Sequence, residues 1–190
     1  MRQEFLKRIV SSLVLISIII FIVIKGTIYL NLFILFCFLI SLYEWHKMKK
    51  NNIHYVIGII FLFLSFYSVF QLTNYENDYS YFLFILIICI STDIGGYIFG
   101  KFFKGKKLTK ISPNKTYSGM LGSFTLSLVL SYLFLELTTI FPYLNFNSIN
   151  MLICILLISL ISQVGDIIVS YFKRKSKIKN TGNIIPGHGG

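Results

Sequence analysis

The stretch YFLFILIICISTDIGGYIFG, Tyr81–Gly100, decides how this chain folds. It is long enough to cross a bilayer as a helix, which takes roughly 17–25 predominantly apolar residues. Its apolar run is too long and unbroken for a barrel strand, which alternates in polarity over roughly 10 residues. A helix of a soluble protein at this length would carry a polar face, and this one is apolar all round. Its one charged residue, Asp93, therefore stands out.

Comparable uncharged or nearly uncharged runs flank it on both sides: Ile9–Ile24, Gly26–Tyr43, Tyr55–Tyr75, Thr116–Leu135 and Leu137–Gly165. The sequence predicts an all-α, polytopic transmembrane helical bundle with about six spans, near 9–25, 27–43, 55–73, 81–100, 117–140 and 150–172. Composition agrees. Of the 190 residues 55% are hydrophobic and 13% charged, about half the charged share of an ordinary soluble domain, and the mean hydropathy is +0.75. Met1–Arg8 and the apolar residues after it have the outline of a secretory leader. No small-residue cleavage site follows, so the segment reads as the first span. The whole chain, 1–190, reads as one membrane-embedded domain.

A net charge of +11 invites a nucleic-acid reading, which the placement of the charges excludes. With the N-terminus in the cytoplasm, every Lys and Arg except Lys25 falls on the cytoplasmic side. That is the asymmetry of the positive-inside rule, and it predicts an N-in/C-in topology. The inner basic surface suits anionic lipid headgroups, at roughly 1 kcal/mol per basic residue near the membrane. The other loops are nearly neutral or acidic, with Glu76 and Asp78. Cys37, Cys89 and Cys154 all fall inside spans and read as small apolar fillers. Glu136 lies near the outer end of its span and reaches the interface.

A carboxylate inside the bilayer costs about 2.5–3.5 kcal/mol on insertion scales, so it normally faces a polar cavity or a partner. Two spans carry one: Asp93 behind Ser91-Thr92, and Asp166 behind Gln163-Val164-Gly165. Asp93 lies seven residues before Gly100 and Asp166 six before Phe172. At 1.5 Å per residue both sit about 10 Å below the cytoplasmic helix ends. Matching depth suggests one shared pocket. Two carboxylates there repel unless protonated or bridged by a cation, and a hard divalent ion is the simplest bridge. The bland alternative is a pair of structural hydrogen-bonding acids between helices.

The loop after Gly100 reads KFFKGKKLTKISPNKT, Lys101–Thr116. Its lysines suit phosphate oxygens as flexible point charges. Ser112-Pro-Asn-Lys115-Thr116 leads into a helix whose first N–H groups favour an anion. The alternative is a loop that only sets topology. The last span runs into a basic segment, Lys173–Lys179, and a glycine-rich tail around His188. Together these features describe a headgroup-depth pocket with two acids and many phosphate-friendly cations. An enzyme acting on a phospholipid headgroup and a phosphorylated soluble partner fits. A cation or proton transporter using Asp93 and Asp166 is the alternative, and explains the basic loop less well.

At these same residues the chain resembles the phosphatidate cytidylyltransferase (CDP-diglyceride synthase) family. The most specific likeness is Gly165-Asp166, Ser170, Lys173-Arg174, Lys179 and Pro186-Gly187-His188-Gly189-Gly190. The second is Asp93 with Gly95-Gly96-Tyr97 and Gly100, followed by Ser112-Pro113-Asn114-Lys115-Thr116-Tyr117-Ser118-Gly119; a weaker third is Tyr43-Glu44-Trp45. The resemblance implies transfer of CMP from CTP to phosphatidic acid, giving CDP-diacylglycerol and pyrophosphate, in a bacterial inner membrane with the site facing the cytoplasm. It implies Mg2+, with K+ as a second cation where two are used. It makes Asp166 the first metal ligand and Asp93 a second ligand or a pocket acid, with Asp166, Lys173 and Arg174 catalytic. Ser112, Lys115, Thr116, Lys179, His188 and Gly189 then bind substrate. CTP, phosphatidic acid and membrane lipid are the implied partners, and a homodimer is one assembly the family allows. Asn180 stands where the family usually has Asp, and Val169 where many members have Glu. The family signature continues past the last Gly-Gly into Asp-Arg-x-Asp and a further span, so the chain is expected to be incomplete at its C-terminus, and an inactive fragment is a third reading.

Overall fold

A computed structural model describes residues 2–48, 52–74, 80–109, 112, 115–137, 148–178 and 181. Six helices follow one another: α1 (Arg2–Lys25), α2 (Thr27–Lys47), α3 (Asn52–Asn74), α4 (Ser80–Phe103), α5 (Tyr117–Leu137) and α6 (Ser148–Lys175). No strand occurs among the described residues. Five helices, α2 to α6, are long and apolar enough to cross a membrane; the apolar stretch described in α1 is Val14–Lys25. Several helices run past the apolar limits expected from hydropathy, α3 from Asn52 and α6 to Lys175, because a helix need not end where its apolar face does.

Large apolar side chains point outward along the helices. Ile24, Ile28, Phe61, Leu121 and Ile161 are all well exposed. In water such a surface would drive aggregation; in lipid it is the ordinary exterior. Polar groups gather inside instead: Thr73, Ser91, Thr92, Ser127 and Ser159 are buried. The chain is thus an integral membrane protein.

The helices gather into two compact units, Met1–Tyr79 with Phe172–Gly190, and Ser80–Tyr171. In the first unit, α1 and α2 are joined by Gly26 alone, at φ 103°, a backbone region that only glycine enters freely. Helices α2 and α3 are pinned at one end by Asn31 Nδ2 donating to Asn74 Oδ1 (3.1 Å) and Thr73 Oγ1 donating to Asn31 Oδ1 (2.8 Å). At the other end the Trp45 indole fills the space beside Gly58, where any Cβ would collide with the ring. Its Nε1 donates to the Tyr55 carbonyl at 3.1 Å. The last turn of α6 docks there: the Phe172 ring stands 5.3 Å from Trp45 edge-on, and Ser176 Oγ donates to the Met48 carbonyl. Helix α6 then closes with a Schellman turn. Ile178 N–H donates to Lys173 O and Lys177 N–H to Arg174 O, both at 3.0 Å, with Lys177 in the left-handed region at φ 58°. Thr181 follows and donates its hydroxyl to Glu44 Oε2 at 2.7 Å.

In the second unit, α4 and α5 pack closest, because their facing residues are nearly all small. A Cβ on Gly95 would strike the Gly122 carbonyl oxygen, and one on Gly119 would come within 2.8 Å of the Gly96 carbonyl oxygen. Thr92, Gly96 and Gly100 recur every four residues on α4, as do Gly119, Ser123 and Ser127 on α5. Such small-residue rows let transmembrane backbones approach where lipid offers no hydrophobic drive to associate. Helix α6 packs through larger side chains, with Phe84 and Ile88 of α4 against Met151 and Ile155.

Candidate active site

The close α4–α5 seam fixes where the polar groups of the second unit meet. Ser123 Oγ donates to the Thr92 carbonyl at 2.7 Å. Thr92 Oγ1 donates in turn to Ser159 Oγ at 2.9 Å, so three helices are tied together at one level. Immediately beside this knot opens a cavity of about 280 Å3. Asp93 enters it from α4, Asp166 and Gln163 from α6, and Gly119 and Ser123 from α5; Ser112, Lys115 and Thr116 enter from the α4–α5 loop. The two carboxylates separated by 73 positions in sequence therefore share one chamber.

The loop reaches the chamber by folding back on itself. Leu108 N–H donates to Lys115 O (2.7 Å) and Tyr117 N–H to Lys106 O (3.0 Å), a short antiparallel pairing around Lys107 and Thr116. Lys115 N–H donates to Ser112 O. Held by these bonds, Lys115 directs its ammonium to Asp166 Oδ2 at 3.0 Å and to the Gln163 carbonyl at 3.5 Å. The Lys115 side chain is 26% exposed and that of Asp166 57%, so both remain reachable from the chamber's mouth.

Thr116 has a second task. It is the N-cap of α5: its Oγ1 accepts from Gly119 N–H at 3.1 Å. Gly105 N–H donates to Ser118 Oγ, whose hydroxyl pairs with that of Thr116. The N–H groups of Tyr117 and Gly119, expected from sequence to be open to an anion, are thus already taken by Lys106 O and Thr116 Oγ1. Among the described residues of the loop, Lys115 and Ser112 bring an ammonium and a hydroxyl to the chamber wall.

Lys173 and Arg174 occupy the last turn of α6 in the first unit, where their carbonyls accept the Schellman bonds. Lys179, His188 and Gly189 lie outside the described residues. Gln163, Thr92 and Ser123 were not singled out as site residues by their chemistry, yet they line the chamber. The four-residue recurrence of small residues on α4 and α5 is the signal that could have found the last two.

The donor set suits a hard cation. Asp93 and Asp166 supply charged oxygens, and Ser112, Thr116 and Gln163 supply neutral ones around the same chamber. Among the described residues no group of three His, Cys, Asp or Glu side chains converges on a metal position. Two carboxylates are a set of the kind that holds Mg2+, with waters and substrate phosphates completing its shell.

Comparison with known proteins gives one consistent result. The model of the family described as "Cytidylyltransferase family" matches residues 50–190. A phosphatidate cytidylyltransferase of Rickettsia typhi is 33% identical over 198 aligned positions, covering 100% of this chain and 85% of the relative. One from Rickettsia bellii is 39% identical over 77% of the chain and 65% of its own length. One from Bacillus subtilis is 34% identical over 70% of the chain and 49% of its own length. No solved structure matches.

Proposed function

Since the chain belongs to the cytidylyltransferase family, we propose that it is a phosphatidate cytidylyltransferase, transferring CMP from CTP to phosphatidic acid in phospholipid biosynthesis. A phosphate oxygen of phosphatidic acid forms a bond to the α-phosphorus of CTP, and the bond from that phosphorus to the bridging oxygen breaks. CDP-diacylglycerol and pyrophosphate result. The observation that supports this most directly is the chamber itself: two carboxylates and a lysine brought together inside a bundle whose exterior is apolar. A lipid phosphate can reach such a place from the membrane, whereas a soluble enzyme would have to extract it.

Phosphoryl chemistry of this kind needs positioning and charge neutralisation more than covalent catalysis. Asp166 and Asp93 would hold Mg2+, with K+ as the second cation if two are used; the metal would neutralise charge on the phosphate oxygens. Lys115 and the Ser112 hydroxyl bind and orient phosphate at the chamber's mouth. Thr116 keeps α5 in register through its cap and so keeps Lys115 in place. On the family motif alone, Lys173, Arg174, Lys179, His188 and Gly189 are assigned to the triphosphate or the lipid phosphate. The distribution of basic residues in the sequence supports a site facing the cytoplasm in a bacterial inner membrane, with an N-in/C-in topology. Family membership favours this enzyme over an ion transporter as the use of Asp93 and Asp166.

The test is incubation of membranes holding this chain with phosphatidic acid, labelled CTP and Mg2+. Label in the lipid phase that disappears with Asp166→Asn, at equal membrane insertion, is the expected result. Label that persists in Asp166→Asn would overturn the metal-ligand assignment, and ion flux without CTP would restore the transporter.

A further inference from the structure

The Lys115–Asp166 pair carries a consequence for how ligands enter. Lys115 Nζ sits 3.0 Å from Asp166 Oδ2, and its backbone is fixed by bonds to Leu108 and Ser112. The ammonium therefore stands against a carboxylate oxygen that a divalent cation would need. A cation arriving alone meets a like charge about 3 Å from its ligand, and must displace it or share the oxygen. A phosphate arriving at the chamber offers Lys115 a different anion and frees that oxygen.

We infer that Lys115 competes with the divalent cation for Asp166, so that the chamber holds a bare cation weakly and gains affinity for it once phosphate draws the lysine away. This rests on the reading of Asp166 as a metal ligand. Linkage makes the effect reciprocal: whatever phosphate does for cation affinity, the cation does for phosphate. Lys115 is then more than an anchor for substrate, since it couples the two ligands and keeps the carboxylate from being occupied out of turn. The neighbouring groups support this role. The Gln163 carbonyl gives the ammonium a second acceptor, and Asp93 adds negative charge to the same chamber.

The experiment is a titration of the purified full chain in detergent with Mn2+, without nucleotide or lipid phosphate, following the loss of the free-ion resonance signal. Lys115→Met should bind Mn2+ about fivefold more tightly than the wild type, the scale of a partly exposed ion pair. Lys115→Arg, which keeps the charge, should stay near the wild type and serves as the check that the position tolerates replacement. Asp166→Asn should lose the site. Equal or weaker binding in Lys115→Met, with binding still lost in Asp166→Asn, would overturn the competition and leave the metal reading standing. Absence of saturable Mn2+ binding in both the wild type and Lys115→Met would overturn both.

Discussion

Thr92 and Ser159 share a hydrogen bond of 2.9 Å between buried hydroxyls, and it joins α4 to α6 at the level where the two carboxylates face one chamber. Asp93 is the next residue after Thr92. This bond between the helices is therefore adjacent to one of the two proposed metal ligands. Thr92→Val, which keeps the shape and removes the hydroxyl, should lower stability in detergent by about 1 kcal/mol, within the range of interhelical hydrogen bonds in membranes. Transfer should fall further than the stability loss explains, because Asp93 moves with α4. Thermal unfolding alongside a labelled-CTP assay measures both; full activity at reduced stability would show that the bond does not position Asp93.

The glycines of the second unit separate into two kinds. Gly95 faces the Gly122 backbone with no room for a Cβ, whereas a Cβ on Gly165 would meet nothing within 4 Å. Gly95→Ala should therefore cost about 1–3 kcal/mol through overpacking. Gly165→Ala should be neutral or stabilising by up to about 1 kcal/mol, the gain in helix propensity. Comparing the two variants by thermal unfolding tests whether the seam is as close as described.

The two carboxylates should differ in their sensitivity to replacement. Asp166 is paired directly with Lys115, and Asp93 shares the chamber. Asp166→Asn should lower transfer by about 10³-fold or more, as expected when charge neutralisation at a reacting phosphate is lost. Asp93→Asn should also be severely impaired and should respond to raised Mg2+, since Asp166, the proposed first ligand, remains to hold the cation. Initial rates across a Mg2+ series distinguish them; an Asp93→Asn variant indifferent to Mg2+ would remove it from the metal's shell.

Lys177 occupies a backbone conformation that costs a residue with a side chain about 1 kcal/mol. It does so at the position of a Schellman turn where glycine is usual. Lys177→Gly should stabilise the end of α6, and slower amide exchange at Ile178, whose N–H reaches back to Lys173 O, is the expected readout. Faster exchange there would mean that the lysine side chain holds the turn.

Much of this was legible from hydropathy and charge. The uncharged runs locate the helices because lipid demands that backbone groups be satisfied within the segment. Asp93 and Asp166 stood out because an ionisable group in such a run is expensive. The pairing of Lys115 with Asp166 was not legible: it depends on the loop doubling back through Leu108 and Tyr117, and no periodicity announces that. Thr116 was expected to serve an anion, and its hydroxyl is used in capping α5. The same hydroxyl also lines the chamber, and the cap was not legible because it depends on where α5 begins. The role of Thr92 and Ser123 was hidden because small polar residues in an apolar helix look like interruptions until a partner helix is placed beside them.

Trp45 is the only tryptophan in the chain. It lies against Gly58 with its indole N–H on the Tyr55 carbonyl and Phe172 across its edge. Its fluorescence is therefore a native gauge of a single place, the dock where the end of α6 meets α2 and α3. The wavelength and quenching of that emission should follow this dock in unlabelled protein, so ligand-driven movement of the basic α6 terminus can be watched without attaching a probe.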